Sequence, residues 1–296
     1  MTWKWTSKKY VKNSVVKKYL IPDNNRMNYC IINMEICGNS KRLYNIEYPK
    51  DVLLNDIFLV LNIIDDNIEG SPMLKDDKLP PLFLKHILSC TGSIRVIDYC
   101  INNLCLTDGF VICRRYRDTF LQYFYLKMIN KNETIEKWIK YKDILSIKDD
   151  KFGHKGYIKK LIENKTIKEL FERHFNYIFD DGKTRSEQDI ILDDYVHLNG
   201  MKILDGGIVL ENEKIEKALK DLARYYTSML LSLIILLEAE QIRSSDYLDA
   251  LEMGFDPIEG SQYNVAPHIN KYINTYMSKE LKLFLIENAS CNMLIE

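Results

Sequence analysis

The chain has 296 residues, with 41 Lys+Arg against 42 Asp+Glu and a formal net charge of −1. That balance excludes a polycationic coat for nucleic acid or membrane, while leaving room for a local basic patch. With 46% hydrophobic residues the chain is too apolar to be mainly disordered, and only 12 Gly and 7 Pro argue against a turn-rich sandwich, barrel or Rossmann sheet.

The first 20 residues hold six lysines and no acid, interleaved with Trp3, Trp5 and Tyr10. Lys8 and Lys9 among them suit a nucleic-acid backbone, with the aromatics for base stacking; a membrane surface and a solvated terminal segment are the other readings. Two short apolar patches around Gly38-Asn39-Ser40 suggest a small hairpin. Residues 1–50 are therefore expected as an irregular basic segment, and 51–296 as one α-helical bundle.

Pro49 opens the first expected helix, Asp51 to Ile68, whose apolar residues recur near a 3.6 period. A proline-bearing loop follows. From Pro81 to Asn130 the pattern is almost continuously helical, with a break expected at Gly92-Ser93 and an interruption at Gly109. A short helix is expected over Thr134 to Leu145, a polar loop over 146–156, and a helix from Lys159 to Phe179 ending in the turn Asp180-Asp181-Gly182. Ser186 starts the next helix, which stops by Asn199-Gly200.

The longest helix is predicted from Glu211 to about Arg243. Ile215, Leu219, Leu222, Tyr226, Met229, Leu233 and Leu236 recur there at spacings of 4 and 3, a heptad-like seam. Loop and a short helix fill 244–262, and His268 to Asn288 reads as a last amphipathic helix. The fold class is all-α, a single bundle with long central helices.

Seven cysteines, an odd number with no CxxC pair, read as small hydrophobes rather than a disulfide scaffold. The N-terminus has no apolar core of a signal peptide. The longest apolar stretch, Met229 to Leu237, is shorter than the roughly 18–20 residues that span a bilayer. The expectation is a soluble, cytoplasmic protein without a membrane span. Phosphate-cradling loops, HExxH, GxSxG and zinc-spaced Cys/His clusters are all missing, so neither metal nor cofactor is expected.

Two segments carry unusual chemistry. In Gly109 to Leu126, Arg114, Arg117 and Asp118 share a helix face with Phe110, Leu121 and Tyr125. Charges on such a face must be paired or look into a cavity. An Arg114–Asp118 pair that fixes packing is one reading; a pair that holds a substrate phosphate, with Arg117 toward the substrate, or that orients a second helix is the other. In Asp189 to Gly200, Asp193 and Asp194 lie one turn before His197, with Tyr195 between. A carboxylate so placed orients an imidazole, although a histidine at a helix C-terminus also interacts with the helix dipole.

Arg-x-x-x-acid on a long helix after a Gly, then Tyr-Val-His closing a later helix, then a long apolar helix, resembles the HEPN-like abortive-infection proteins of bacteria. The matching residues are Arg114, Asp118 and His197, with Asp where those proteins often have Glu; the resemblance covers roughly residues 94–240. It implies an RNA-directed effector of phage defence or stress response, or the regulatory partner of one, and a homodimer. It also implies a metal-independent ribonuclease with Arg114, Asp118 and His197 as catalytic candidates; beside the resemblance, Arg117 and Tyr195 on the same two segments and Lys8 and Lys9 of the basic N-terminus are the residues expected toward RNA. Active members carry Arg followed four to six residues later by His on one helix; no Arg here has that partner. The competing reading is a non-enzymatic helical scaffold that binds another protein.

Overall fold

A computed structural model describes residues 53–70, 79–129, 154–180, 183–197 and 212–295. The basic N-terminal segment with Lys8 and Lys9, its expected hairpin and the helix expected over 134–145 lie outside these residues. So do most of the loop over 146–156, the end of the turn at 181–182 and the glycines at 200, 206 and 207.

The described chain is all-α, with ten helices and one two-stranded hairpin. The helices are α1 (Asn55–Gly70), α2 (Leu79–Asn102), α3 (Leu106–Ile129), α4 (His154–Leu161) and α5 (Lys165–His174), then α6 (Glu187–Val196), α7 (Asn212–Glu238), α8 (Asp246–Glu252), α9 (Pro267–Tyr276) and α10 (Lys279–Asn288). Strands β1 (Ile178–Asp180) and β2 (Lys183–Arg185) pair antiparallel, Phe179 opposite Thr184.

Helix α3 is the hub. It packs on α2, α4, α6 and α7, while α1 packs on α2 and α9. Twelve of its residues are buried, among them Phe110, Tyr116, Phe120 and Phe124. The seven seam residues of α7 are buried too. The seam is thus consumed inside the chain's own core. The helical stretch Glu213–Ile242, α7 with the turn after it, is long and apolar enough to cross a membrane by length and composition alone, and most of its apolar window is buried within the fold. Lys127 Nζ donates to the Leu237 carbonyl at 3.1 Å and pairs with Glu238. A cation thereby meets the carbonyls at the end of α7.

The expected breaks move in four places. Helix α2 runs through Gly92-Ser93, and the chain turns instead at Asn103–Cys105, where Leu104 adopts φ 59°. Gly109 lies inside the first turn of α3, where the side chain of Leu219 passes so close that a Cβ would meet it at 2.5 Å. The helix expected over Lys159 to Phe179 is two helices. Asn164 caps α5, its side chain accepting from Thr166 and Ile167 N–H, and the chain becomes extended at β1 after Asn176 takes φ 51°. The last helix also divides, because Ser278 starts α10 by accepting from Leu281 N–H. Serine and asparagine caps satisfy orphan amides and so restart a helix where periodicity alone would continue it.

Candidate functional site

The face of α3 that carries Arg114, Arg117 and Asp118 meets α4 and α6. Helix α6 starts at a capping box: Ser186 Oγ accepts from Asp189 N–H at 3.1 Å, and the Asp189 carboxylate accepts from Ser186 N–H at 3.2 Å. That reciprocal pair directs Asp189 inward.

Asp189 is the buried centre of the site. Its Oδ1 accepts from Arg117 Nη1 at 2.7 Å and from Tyr226 Oη at 2.9 Å. Its Oδ2 accepts from Ser186 N–H and from His154 Nε2, the latter at 3.2 Å. Four donors from α3, α7, α4 and the cap of α6 thus converge on one carboxylate. Burial pushes Asp189 toward neutrality, but the hydrogen bond from His154 and the charges of His154 and Arg117 prevail and hold it well below the usual carboxylate range. Burial and then the Asp189 charge push Tyr226 well up, so its hydroxyl keeps the proton it donates.

Arg117 is 1% exposed and sealed from solvent. Besides Asp189 it reaches Asp118 through Nε and Nη2, both at 2.9 Å. Burial favours its neutral form; the charges of Asp189 and Asp118 overcome this and raise it well above its ordinary value. Its donors therefore serve the protein's own carboxylates, not a ligand as expected from sequence. The expected Arg114–Asp118 pair is likewise replaced: Asp118 goes to the adjacent Arg117, and His154 Nδ1 lies 3.8 Å from its Oδ1.

Arg114 turns outward to α6. Its Nη1 lies 3.3 Å from His197 Nε2 and 3.8 Å from Asp193 Oδ1. His197 is the C-cap residue of α6, its N–H donating to the Asp193 carbonyl. A guanidinium only donates, so the contact is a hydrogen bond when His197 Nε2 bears no proton and offers its lone pair. Tyr195 stacks on Phe110, ring centroids 3.9 Å apart at 7°; this fixes α6 on α3 and covers one face of the ring.

Arg114 and Asp118 line an open groove of ≈ 350 Å³ together with Arg115, Thr119, Gln122 and Tyr157. Gln122 Nε2 donates to Tyr157 Oη at 3.1 Å. The lining thus carries two arginines, a residue type that suits a phosphate, beside the Asp118 carboxylate. Among the described residues no group of three His, Cys, Asp or Glu side chains is set to hold a metal ion. Elsewhere, His86 Nδ1 meets the Leu82 carbonyl at 2.7 Å and burial pushes its pKa down, while burial pushes the Cys90 thiol up; both belong to the core.

Sequence reasoning brought Arg114 and His197 forward and missed Asp189, His154, Arg115 and the hydroxyl of Tyr226. Two signals pointed to Asp189: Ser186-x-x-Asp189 is a capping signature, and an arginine on an apolar face requires a counter-charge. His154 was hidden in a stretch read as loop. Comparison with protein-family models, curated proteins and solved structures finds no match for this chain.

Proposed function

We propose that this protein is an RNA-directed helical effector of the HEPN-like, abortive-infection kind, serving bacterial phage defence or stress response, and that Arg114 and His197 form a metal-independent ribonuclease site. The observation that carries the reading is the 3.3 Å contact between Arg114 Nη1 and His197 Nε2, made by residues 83 apart in sequence on two helices. It supplies an Arg–His juxtaposition without the one-helix motif. Arg114 and the neighbouring Arg115 hold an RNA phosphate at the groove, and Asp193 orients Arg114. With RNA bound, Arg114 shifts to the phosphate and frees His197 Nε2, which takes the proton of the 2′-OH; the 2′ oxygen attacks phosphorus, the P–O5′ bond breaks and the 5′ oxygen leaves with a proton from water, giving a 2′,3′-cyclic phosphate and a 5′-OH end. No described cysteine is in a disulfide, which fits the reducing cytoplasm where such a substrate is found.

The test is cleavage of single-stranded RNA by the purified protein in EDTA, beside folded His197→Ala and Arg114→Ala. Cyclic-phosphate products from wild type alone support the site. No cleavage, or cleavage unchanged in both variants, overturns it. A non-enzymatic scaffold is the second reading, favoured by the exposed apolar side chains of α8 and the loop after it.

A further inference from the structure

We propose that residues 246–260 form a docking surface for a basic amphipathic helix of another protein. Helix α8 has no buried residue. Within this short segment Leu248, Leu251, Met253, Phe255 and Ile258 are all exposed, from 43% at Leu248 to 82% at Ile258. Five large apolar side chains so close together are not the scattered exposure of an ordinary surface.

The segment is also built to hold its shape. Ser244 Oγ accepts from Asp246 N–H at 3.2 Å, and Ser245 Oγ donates to Asp249 Oδ2 at 2.9 Å. At the far end of α8, Gly254 takes φ 74°, its N–H donates to Leu251 O, and Phe255 N–H donates to Ala250 O. That double bond is a Schellman ending, which fixes where Phe255 leaves the helix. Ile258 stands on a second turn, closed by Ser261 N–H and Ser261 Oγ on its carbonyl at 3.0 and 2.7 Å. A seven-residue helix gains little from its own hydrogen bonds, and this one buries nothing. Apolar groups held in place in advance lose little freedom when a partner covers them.

Charge selects the partner. Asp246, Asp249, Glu252, Asp256 and Glu259 interleave with the apolar residues, and no Lys or Arg occurs between Arg243 and Lys271. Two copies meeting through this same face would set acid against acid, and an anionic membrane would be repelled. Lysines flanking a leucine stripe answer both features. This surface uses none of the residues of the Arg114–His197 site, and the inference does not depend on RNA cleavage there.

The experiment is a fluorescence-anisotropy titration of the full chain with a labelled 14-residue Leu/Lys amphipathic peptide, beside its Leu/Glu counterpart. Two variants, Phe255→Ala with Ile258→Ala and Glu252→Gln with Asp256→Asn and Glu259→Gln, alter only exposed groups and keep the wild-type thermal melt. The expected result is saturable binding of the Leu/Lys peptide, at least tenfold weaker in each variant and weakened by added salt. Equal binding of both peptides, or binding unchanged in the variants, overturns the proposal. So does wild-type self-association abolished by Phe255→Ala with Ile258→Ala, which assigns the face to a second copy. Binding of phosphatidylcholine vesicles in preference to the peptide assigns it to lipid and overturns it as well.

Discussion

Arg117 Nη1 donates to Asp189 Oδ1 at 2.7 Å, with both side chains sealed from water. Two charges on facing helices have left solvent together, and the cost of that transfer is met by their partners: Asp118 beside Arg117, and Tyr226, Ser186 and His154 around Asp189. Removing one charge strands the other. Arg117→Met and Asp189→Ala are each expected to destabilise by about 3–5 kcal/mol, the range for breaking a buried pair. The double variant should cost less than the sum, since the second substitution removes the charge that the first left unpaired. Urea unfolding of the four proteins checks this; additive losses would mean that the two residues act independently.

The same carboxylate sets a pH dependence. Burial raises Asp189, but the hydrogen bond from His154, then the charges of His154 and Arg117, depress it well below the usual range. In the unfolded chain an aspartate titrates near about 3.9. A folded value below the unfolded one gives stability that is complete above the unfolded value and lost as pH falls through the folded one. From pH 5 downward, the stability gap between wild type and Asp189→Asn should therefore stay constant to about pH 4 and narrow in stronger acid. Urea midpoints measured along that series test it, and a gap that widens in acid contradicts the assignment.

The helices were legible because their signals are local. Ile215 to Leu236 repeat at heptad spacing and all are buried, and Ser186 announces α6. The breaks were less legible, since Gly92 invited a stop that its surroundings do not require: a Cβ there would meet nothing within 4 Å. The β-hairpin flanks an Asp-Gly dipeptide, a recognised hairpin signal, but its strands are three residues each, too short for alternation to stand out. In the site, Arg114 and His197 announced themselves as polar residues on apolar-patterned helices. Their contact depends on the angle at which α6 crosses α3, which the Tyr195–Phe110 stack helps fix and no spacing reveals. Asp189 was hidden for the opposite reason: as an acid in the first turn of a helix it reads as a cap, and it is both cap and counter-ion.

Gly109 offers a test of packing against propensity. Alanine favours a helix over glycine by about 1 kcal/mol. A Cβ at 109 would lie 2.5 Å from Leu219 Cδ2 and 3.2 Å from Cys100 Cβ, and both neighbours are buried with little room to yield. Overpacking of this kind costs about 1–3 kcal/mol, so Gly109→Ala should destabilise or, at the lower limit, be neutral. With Leu219→Ala already in place the closest clash is gone, and adding Gly109→Ala should then stabilise. A change of sign between the two backgrounds, read by thermal or urea unfolding, is the expected outcome; destabilisation of equal size in both would put the constraint at Cys100 instead.

Arg114 and His197 should behave in the opposite way to Arg117 and Asp189. Arg114 is 37% exposed and Asp193 45%, and His197 is exposed, so their mutual contacts are screened by water and worth little to the fold. Arg114→Ala and His197→Ala are expected to change stability by less than about 0.5 kcal/mol. If the two form the phosphate clamp and base of one reaction, each substitution alone should remove nearly all RNA cleavage, and the double variant should lose little more, because groups that act as a unit are non-additive. Arg114→Lys separates charge from shape: a lysine keeps the charge but not the planar fork, so a large loss of cleavage with unchanged stability is expected. Activity retained by Arg114→Lys would show that the site needs only a positive charge there, and a stability loss as large as that of Arg117→Met would show that Arg114 serves the fold.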